Sequence, residues 1–397
     1  MEENKIPEIN EEKVISTPEK IEKPDAKAKI NPNVLIICIT ALVIAIIVSV
    51  VLILTLGGKG KGDNNNDTGS GEQTDEPTDD ENEGENNPSF DDIFINYTEG
   101  LEFIPDGNGN YLVSVGEARG QKNIIIPPTY NGGKVVGIAE EGFRQCESIE
   151  KVIIPDSVVV IHFAAFEECS NLTSVILGEG VTTINSLAFF GCPKLQFNEY
   201  ENCKYLGTKD NPYFALVEVA TPNLSSYTIH ENTKIITENV FQRFDNLSSI
   251  VIPNSVTTIG GSAFNECHNL TSVVIGDGVT TIKGFAFFRC YSLSYLEIGN
   301  SVVTIDEFAF YDCSSLTSVV IPDSVVTLGE GVFNGCEGLN SIVIGKGVTA
   351  ITITAFYRCP SLQNVYYKGT EAEWGAISIG GANDGLNAAT IHYNYVP

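Results

Sequence analysis

Ala263-Phe264-Asn265-Glu266-Cys267-His268-Asn269-Leu270-Thr271-Ser272-Val273-Val274-Ile275-Gly276-Asp277-Gly278-Val279-Thr280-Thr281-Ile282 decides the fold, because it recurs. Adding 23 to each apolar position reaches Ala286, Phe287, Cys290, Leu293, Leu296, Ile298, Val302 and Ile305. A second step of 23 reaches Ala309, Phe310, Cys313, Leu316, Val319, Ile321, Val325 and Leu328. The pairs Phe333/Cys336, Phe356/Cys359, Phe143/Cys146, Phe166/Cys169 and Phe189/Cys192 keep the phase, and Phe241 with Phe244 marks a ninth unit. A fixed period of this length means stacked coils rather than a globule.

One coil can be read physically. Phe264, Cys267 and Leu270 are three apart, which predicts one face of a short helical turn. Val273 and Ile275 are two apart and point the same way from a strand. Pro or Gly then turns the chain, as in Ile252-Pro253, Ile275-Gly276 and Ile321-Pro322. No coil can bury this apolar set alone, but stacked coils can, with neighbouring strands parallel about 4.8 Å apart. Nine coils predict a rod of about 40 Å at that spacing.

Eight of the ten cysteines fall on one repeat position, where Phe244 also stands. A slot shared by Cys and Phe is apolar, so buried free thiols are expected rather than a disulfide framework. Cys203 and Cys38 lie outside this row.

Flanking segments differ in composition. Residues 1–33 are polar, with scattered Lys, Glu and Pro, and read as a disordered cytoplasmic tail. Residues 34–56 carry no charge and are long enough for a transmembrane helix. Lys20, Lys23, Lys27 and Lys29 precede this span and Lys59 and Lys61 follow it, an asymmetry that places the N-terminus inside and the repeats outside. Residues 57–92 read as an acidic disordered linker, with twelve acids between Asp63 and Asp92. Residues 93–140 read as an N-terminal cap with a hairpin, 141–365 as the repeats, and 366–397 as a C-terminal cap. Phe189 to Phe241 is 52 residues, one coil plus 29, so an insertion of about 197–227 interrupts the array. Alternation in Ala215-Leu216-Val217-Glu218-Val219 predicts a hairpin there, serving either as a binding element or as a structural plug.

The net charge of −28 argues against nucleic acid as a partner. His162, His230, His268 and His392 show no metal-ligand spacing. No nucleophile elbow, phosphate loop or His-Glu-x-x-His motif occurs, so no catalytic residue, metal or cofactor is expected. Asp106-Gly107-Asn108-Gly109-Asn110 partly mimics a calcium loop, but Tyr111 stands where that loop requires Gly, and a hairpin turn is the reading adopted. Between the two inward strand residues sit Ile153, Ile176, Val251, Val274, Glu297, Val320, Val343 and Tyr366. In register these form a mostly apolar stripe. Either the stripe is a partner surface or it reflects the preference of Val and Ile for strands.

The unit Ala-Phe-x-x-Cys-x-x-Leu-x-x-Val-x-Ile-Pro-x-Ser-Val-x-x-Ile resembles the BspA-like leucine-rich repeat family. Lys204-Tyr205-Leu206-Gly207, Asn211-Pro212-Tyr213 and the stretch Tyr367 to Asn394 are similar to it as well. The resemblance covers residues 100–397. It implies a leucine-rich-repeat solenoid, mostly β, on a bacterial cell surface. It further implies adhesion to an extracellular protein or glycan, including host matrix, with a self-assembling envelope scaffold as the alternative.

Overall fold

The computed structural model describes residues 97–396. The tail, the span at 34–56 and the acidic linker lie outside the described residues. No helix among the described residues is long and apolar enough to cross a membrane.

The chain winds into a parallel β solenoid of about 12 turns. That exceeds the nine counted from Phe and Cys, because cap strands continue the ladders without the signature. Each coil supplies a strand of three or four residues and, after the Pro or Gly corner, a two-residue strand. The longer strands stack in parallel in three runs. Asn123–Ile125, Lys151–Ile153 and Ser174–Ile176 form the first. Ser249–Ile252, Ser272–Ile275 and Tyr295–Glu297 form the second. Ser318–Ile321, Ser341–Ile344, Asn364–Tyr367 and Thr390–His392 form the third. Val273 and Ile275 are buried while Val274 between them is not, the alternation that a strand imposes. The short strands, such as Thr258–Ile259, Thr281–Ile282 and Thr304–Ile305, make a second ladder.

The corner after the long strand is packed backbone on backbone. A Cβ on Gly278 would lie 1.8 Å from the Asn254 carbonyl oxygen, so only glycine fits beneath that coil. Asn254 and Asp277 also accept from the backbone N–H one coil on, at Asp277 (2.9 Å) and Asn300 (2.8 Å).

The expected helical turn takes a different form. The Phe-Cys segment is a chain of turns with left-handed residues two before and two after each Phe. Ala164 (φ 52°) with Glu168 (57°), and Phe285 (59°) with Arg289 (56°), are examples. A left-handed non-glycine residue costs about 1–2 kcal/mol. The compensation is an inter-turn ladder: Ser262, Phe264 and Glu266 donate their N–H groups to the carbonyls of Gly284 (3.1 Å), Ala286 (2.8 Å) and Phe288 (2.8 Å). A helix would direct these N–H groups along its own axis and leave the next coil unbonded.

Phe rings fill the core beneath this ladder. Phe241, Phe264, Phe287, Phe310, Phe333 and Phe356 are fully buried, and successive ring centroids lie 5.0–5.7 Å apart. A second row, Phe143, Phe166 and Phe189, stacks at 5.0 and 5.4 Å. All nine described cysteines are free and buried.

The insertion is threaded into the solenoid rather than laid upon it. Cys203–Leu206 pairs antiparallel with Ala215–Val219, and Ala215-Leu216 continues in parallel onto Ile235-Ile236 of the short-strand ladder. Gly207 bridges to Ile176 of the long-strand ladder. Tyr205 is buried, and its hydroxyl accepts the His230 N–H at 3.0 Å.

At the N-terminal end Glu102–Pro105 and Tyr111–Ser114 form an antiparallel hairpin, and the second strand runs parallel to Gly133–Ile138. Asp106 closes the hairpin by accepting the N–H groups of Asn108 (2.7 Å) and Asn110 (3.0 Å). At the other end helices Glu371–Trp374 and Asp384–Ala388 cover the last coil. The buried Asn383 accepts the Phe356 N–H at 2.9 Å, its side-chain oxygen replacing the carbonyl of a further coil.

Candidate binding surfaces

Register aligns the stripe residues within each run of strands. Ile153 pairs with Ile176. Val251, Val274 and Glu297 follow one another. Val320, Val343 and Tyr366 do the same and end on His392. The stripe is thus three segments, with the insertion between the first two and no ladder joining Glu297 to Val320.

Exposure along it is uneven. Val251 is 63% exposed and Val320 51%, while Ile153, Ile176, Val274, Val343 and Tyr366 are half-buried. Glu297 is exposed and accepts the hydroxyl of exposed Tyr295 at 2.9 Å, a polar interruption of the apolar row. The C-terminal end is aromatic: Tyr366 stacks on His392 (4.8 Å) and packs against Tyr395 (4.8 Å). Small hydroxyl residues flank the valines at Ser249, Ser272, Ser318 and Ser341. The face therefore offers apolar contact beside shallow hydroxyl donors.

The remaining polar groups do not converge. His230 stacks on Tyr213 (3.8 Å), His268 bonds Asp245 (2.7 Å) and His392 bonds Asn364 (2.9 Å), each in a separate coil. No group of three potential metal ligands occurs among the described residues. Asp106 is engaged by its own turn, and the Asn108 N–H holds its carboxyl below the usual range.

Two rows escaped the sequence reading. Every ladder thiol after Cys146 reaches the Phe carbonyl of the preceding coil, as Cys169 does to Phe143 at 3.0 Å, Cys267 to Phe241 at 3.1 Å and Cys290 to Phe264 at 3.2 Å, whereas Cys146, in the first such coil, turns to the Arg144 carbonyl at 3.7 Å. Cysteine is thus a small apolar residue with a directed donor. Phe244 follows the insertion, where no such carbonyl precedes it. Burial pushes the Cys267 and Cys359 thiols up to about 12 and that of Cys203 to about 11. The second row lies on the turn edge and alternates in sign. Arg243 meets Glu266 at 2.8 Å, and Arg289 lies 3.7 Å from Glu266 and 3.8 Å from Asp312.

A cleft of about 510 Å³ opens beside the insertion, between residues 184–190 and 237–240. Phe189, Phe190, Phe197, Val217, Val240 and Phe244 supply its apolar lining, with Glu238 at one end. Two core clusters meet at the insertion, which gives Leu206 and Ala215 to one and Tyr205 and Leu216 to the other.

No curated protein matches the chain. Among solved structures, a leucine-rich repeat protein from Bacteroides ovatus is 24% identical, with 75% of this chain and 78% of that chain covered and a TM-score of 0.37. A leucine rich cell surface protein from Faecalibacterium prausnitzii is 21% identical over 71% of this chain and 97% of that one, with a TM-score of 0.28. The pneumococcal vaccine antigen PcpA is 15% identical over 76% and 98%, with a TM-score of 0.37. The family model for the BspA type leucine rich repeat region matches residues 136–268 and 257–376, in six copies. With that match spanning more than half of its length, the chain belongs to the BspA type leucine rich repeat family.

Proposed function

We propose that this chain is a cell-surface binding protein that recognises an extracellular protein or glycan through its strand face. The observation that carries the reading is the aligned apolar row, in which Val251 and Val320 remain more than half exposed. A strand preference alone accounts for Val and Ile there, but it does not call for the flanking serines or the aromatic end at Tyr366. Residues 34–56 would anchor the chain with its N-terminus inside, and the acidic linker would hold the repeats away from the membrane.

The test is retention of host matrix proteins and envelope glycans by the immobilised full chain. Val274→Asp with Val320→Asp should abolish retention and leave the circular dichroism spectrum unchanged. Undiminished retention by a folded double variant overturns the strand-face assignment.

A further inference from the structure

The inter-turn ladder on the Phe side of the solenoid is complete in seven coils, those of Phe143, Phe166, Phe241, Phe264, Phe287, Phe310 and Phe333. In each, three N–H groups donate to carbonyls of the following coil. In the coil of Phe189 none does: the N–H groups of Leu187, Phe189 and Gly191 have no partner among the described residues. The carbonyls that correspond to them across the cleft, those of Glu238, Val240 and Gln242, accept no hydrogen bond among the described residues. One wall of the cleft therefore presents a row of free donors and the other a row of free acceptors.

Both walls keep the ladder conformation although they exchange none of its bonds across the cleft. Leu187 (φ 59°) and Gly191 (72°) on one side, and Asn239 (61°) and Arg243 (61°) on the other, are left-handed as in the intact coils. The insertion explains the gap. Its strands fill both β ladders at Gly207 and Ala215-Leu216, but it contains no Ala-Phe-x-x-Cys segment, so one turn is missing from the third side. The Phe row breaks at the same place. Phe189 stacks on Phe166 at 5.4 Å and has no ring on its other face among the described residues, whereas Tyr227 covers Phe241 at 5.0 Å. Among the described residues only a side-chain clasp bonds the walls to each other, at Glu238 and Asn239. There the Ser186 N–H donates to Glu238 Oε2 (2.8 Å) and Asn239 Nδ2 donates to Ser186 Oγ (2.7 Å).

We propose that this cleft binds a peptide segment of a partner protein that supplies the missing turn, a site separate from the strand face. The segment carries a small residue followed by an aromatic one. Its carbonyls accept from Leu187, Phe189 and Gly191, its N–H groups donate to Glu238, Val240 and Gln242, and its ring stacks on Phe189. The chemistry is that of strand addition, in which backbone bonds hold the segment and one side-chain pocket selects it. The volume lies within the range of ordinary ligand sites. A fatty or sugar ligand would fill the space and leave both rows of backbone groups unbonded.

The probe is a synthetic peptide with the sequence of residues 260–266, Gly-Gly-Ser-Ala-Phe-Asn-Glu, titrated calorimetrically into the full chain. Saturable binding is expected. Phe264→Ala in the peptide should weaken it at least about tenfold, the value of burying one such ring. N-methylation at the Phe nitrogen should weaken it as well, by removing one ladder donor. In the protein, Ala220→Trp places a large side chain in the cleft from an exposed position and should abolish binding without lowering the melting temperature. Val274→Asp should change nothing, since it lies on the other face. Absence of saturable binding, equal binding of the Phe and Ala peptides, or binding retained by folded Ala220→Trp would each overturn the proposal.

Discussion

Replacing Phe310 by Ala tests the packing account where it is most exacting. Phe310 is fully buried, with Phe287 at 5.3 Å and Phe333 at 5.6 Å on its two faces, both nearly parallel. Removing a buried ring from a closed core costs about 3–5 kcal/mol. The loss of two aromatic neighbours, each worth about 0.5–1.5 kcal/mol beyond area, places this site in the upper half of that range. The surrounding coils cannot collapse into the void, because the hydrogen-bond ladders fix their spacing. Phe189 provides the internal comparison. It is half-buried and has a single ring neighbour, so Phe189→Ala should cost about half as much. Urea unfolding followed by far-UV circular dichroism, fitted with a nearest-neighbour repeat model, measures both. A loss below about 2 kcal/mol at Phe310, or equal losses at the two sites, would refute the reasoning.

The ladder thiols should resist maleimide in the native protein and react in denaturant, because burial raises Cys267, Cys290, Cys313 and Cys336 above their ordinary range. The same shifts set a pH dependence. A thiol whose folded pKa is raised favours the protonated folded form, so its contribution is full below pH 9, the ordinary thiol value, and is lost as pH rises towards about 12, where Cys267 and Cys359 titrate. Urea midpoints should therefore fall between pH 9 and pH 12, and Cys267→Ser should leave a smaller fall. Arg289→Glu would put three acids in succession on the turn edge; the expected loss is about 1 kcal/mol because the two contacts are long, at 3.7 and 3.8 Å, and Arg289 is half-exposed, and it should shrink in high salt. Gly278→Ala forces a Cβ against the Asn254 carbonyl oxygen and should cost about 1–3 kcal/mol, whereas Gly381→Ala, with open space around it, should cost nothing measurable by thermal melting.

The period of 23 was legible because side chains alone carry it. Val273, Ile275 and Ile282 mark inward positions in every coil, and the same alternation foretold which residues the strands would align. The Asp106 turn was legible too, from one missing glycine. The left-handed residues were not: Ala164, Leu187, Arg243 and Phe285 are poor candidates for such a backbone, and only bonds to the next coil make it favourable. The path of the hairpin through the stack was hidden for a similar reason, since Ala215-Leu216 reads as a strand without naming its partner. The cleft arises from a segment that is absent, and an absence has no residue pattern of its own.

Residue-resolved amide hydrogen exchange on the full chain tests the central claim, a solenoid held by inter-turn bonds whose Phe-side ladder is interrupted once. The account predicts slow exchange for the N–H groups of Ser262, Phe264 and Glu266 and of their counterparts in the seven intact coils. It predicts fast exchange for Leu187, Phe189 and Gly191. Protection of those three equal to that of the intact coils would contradict it.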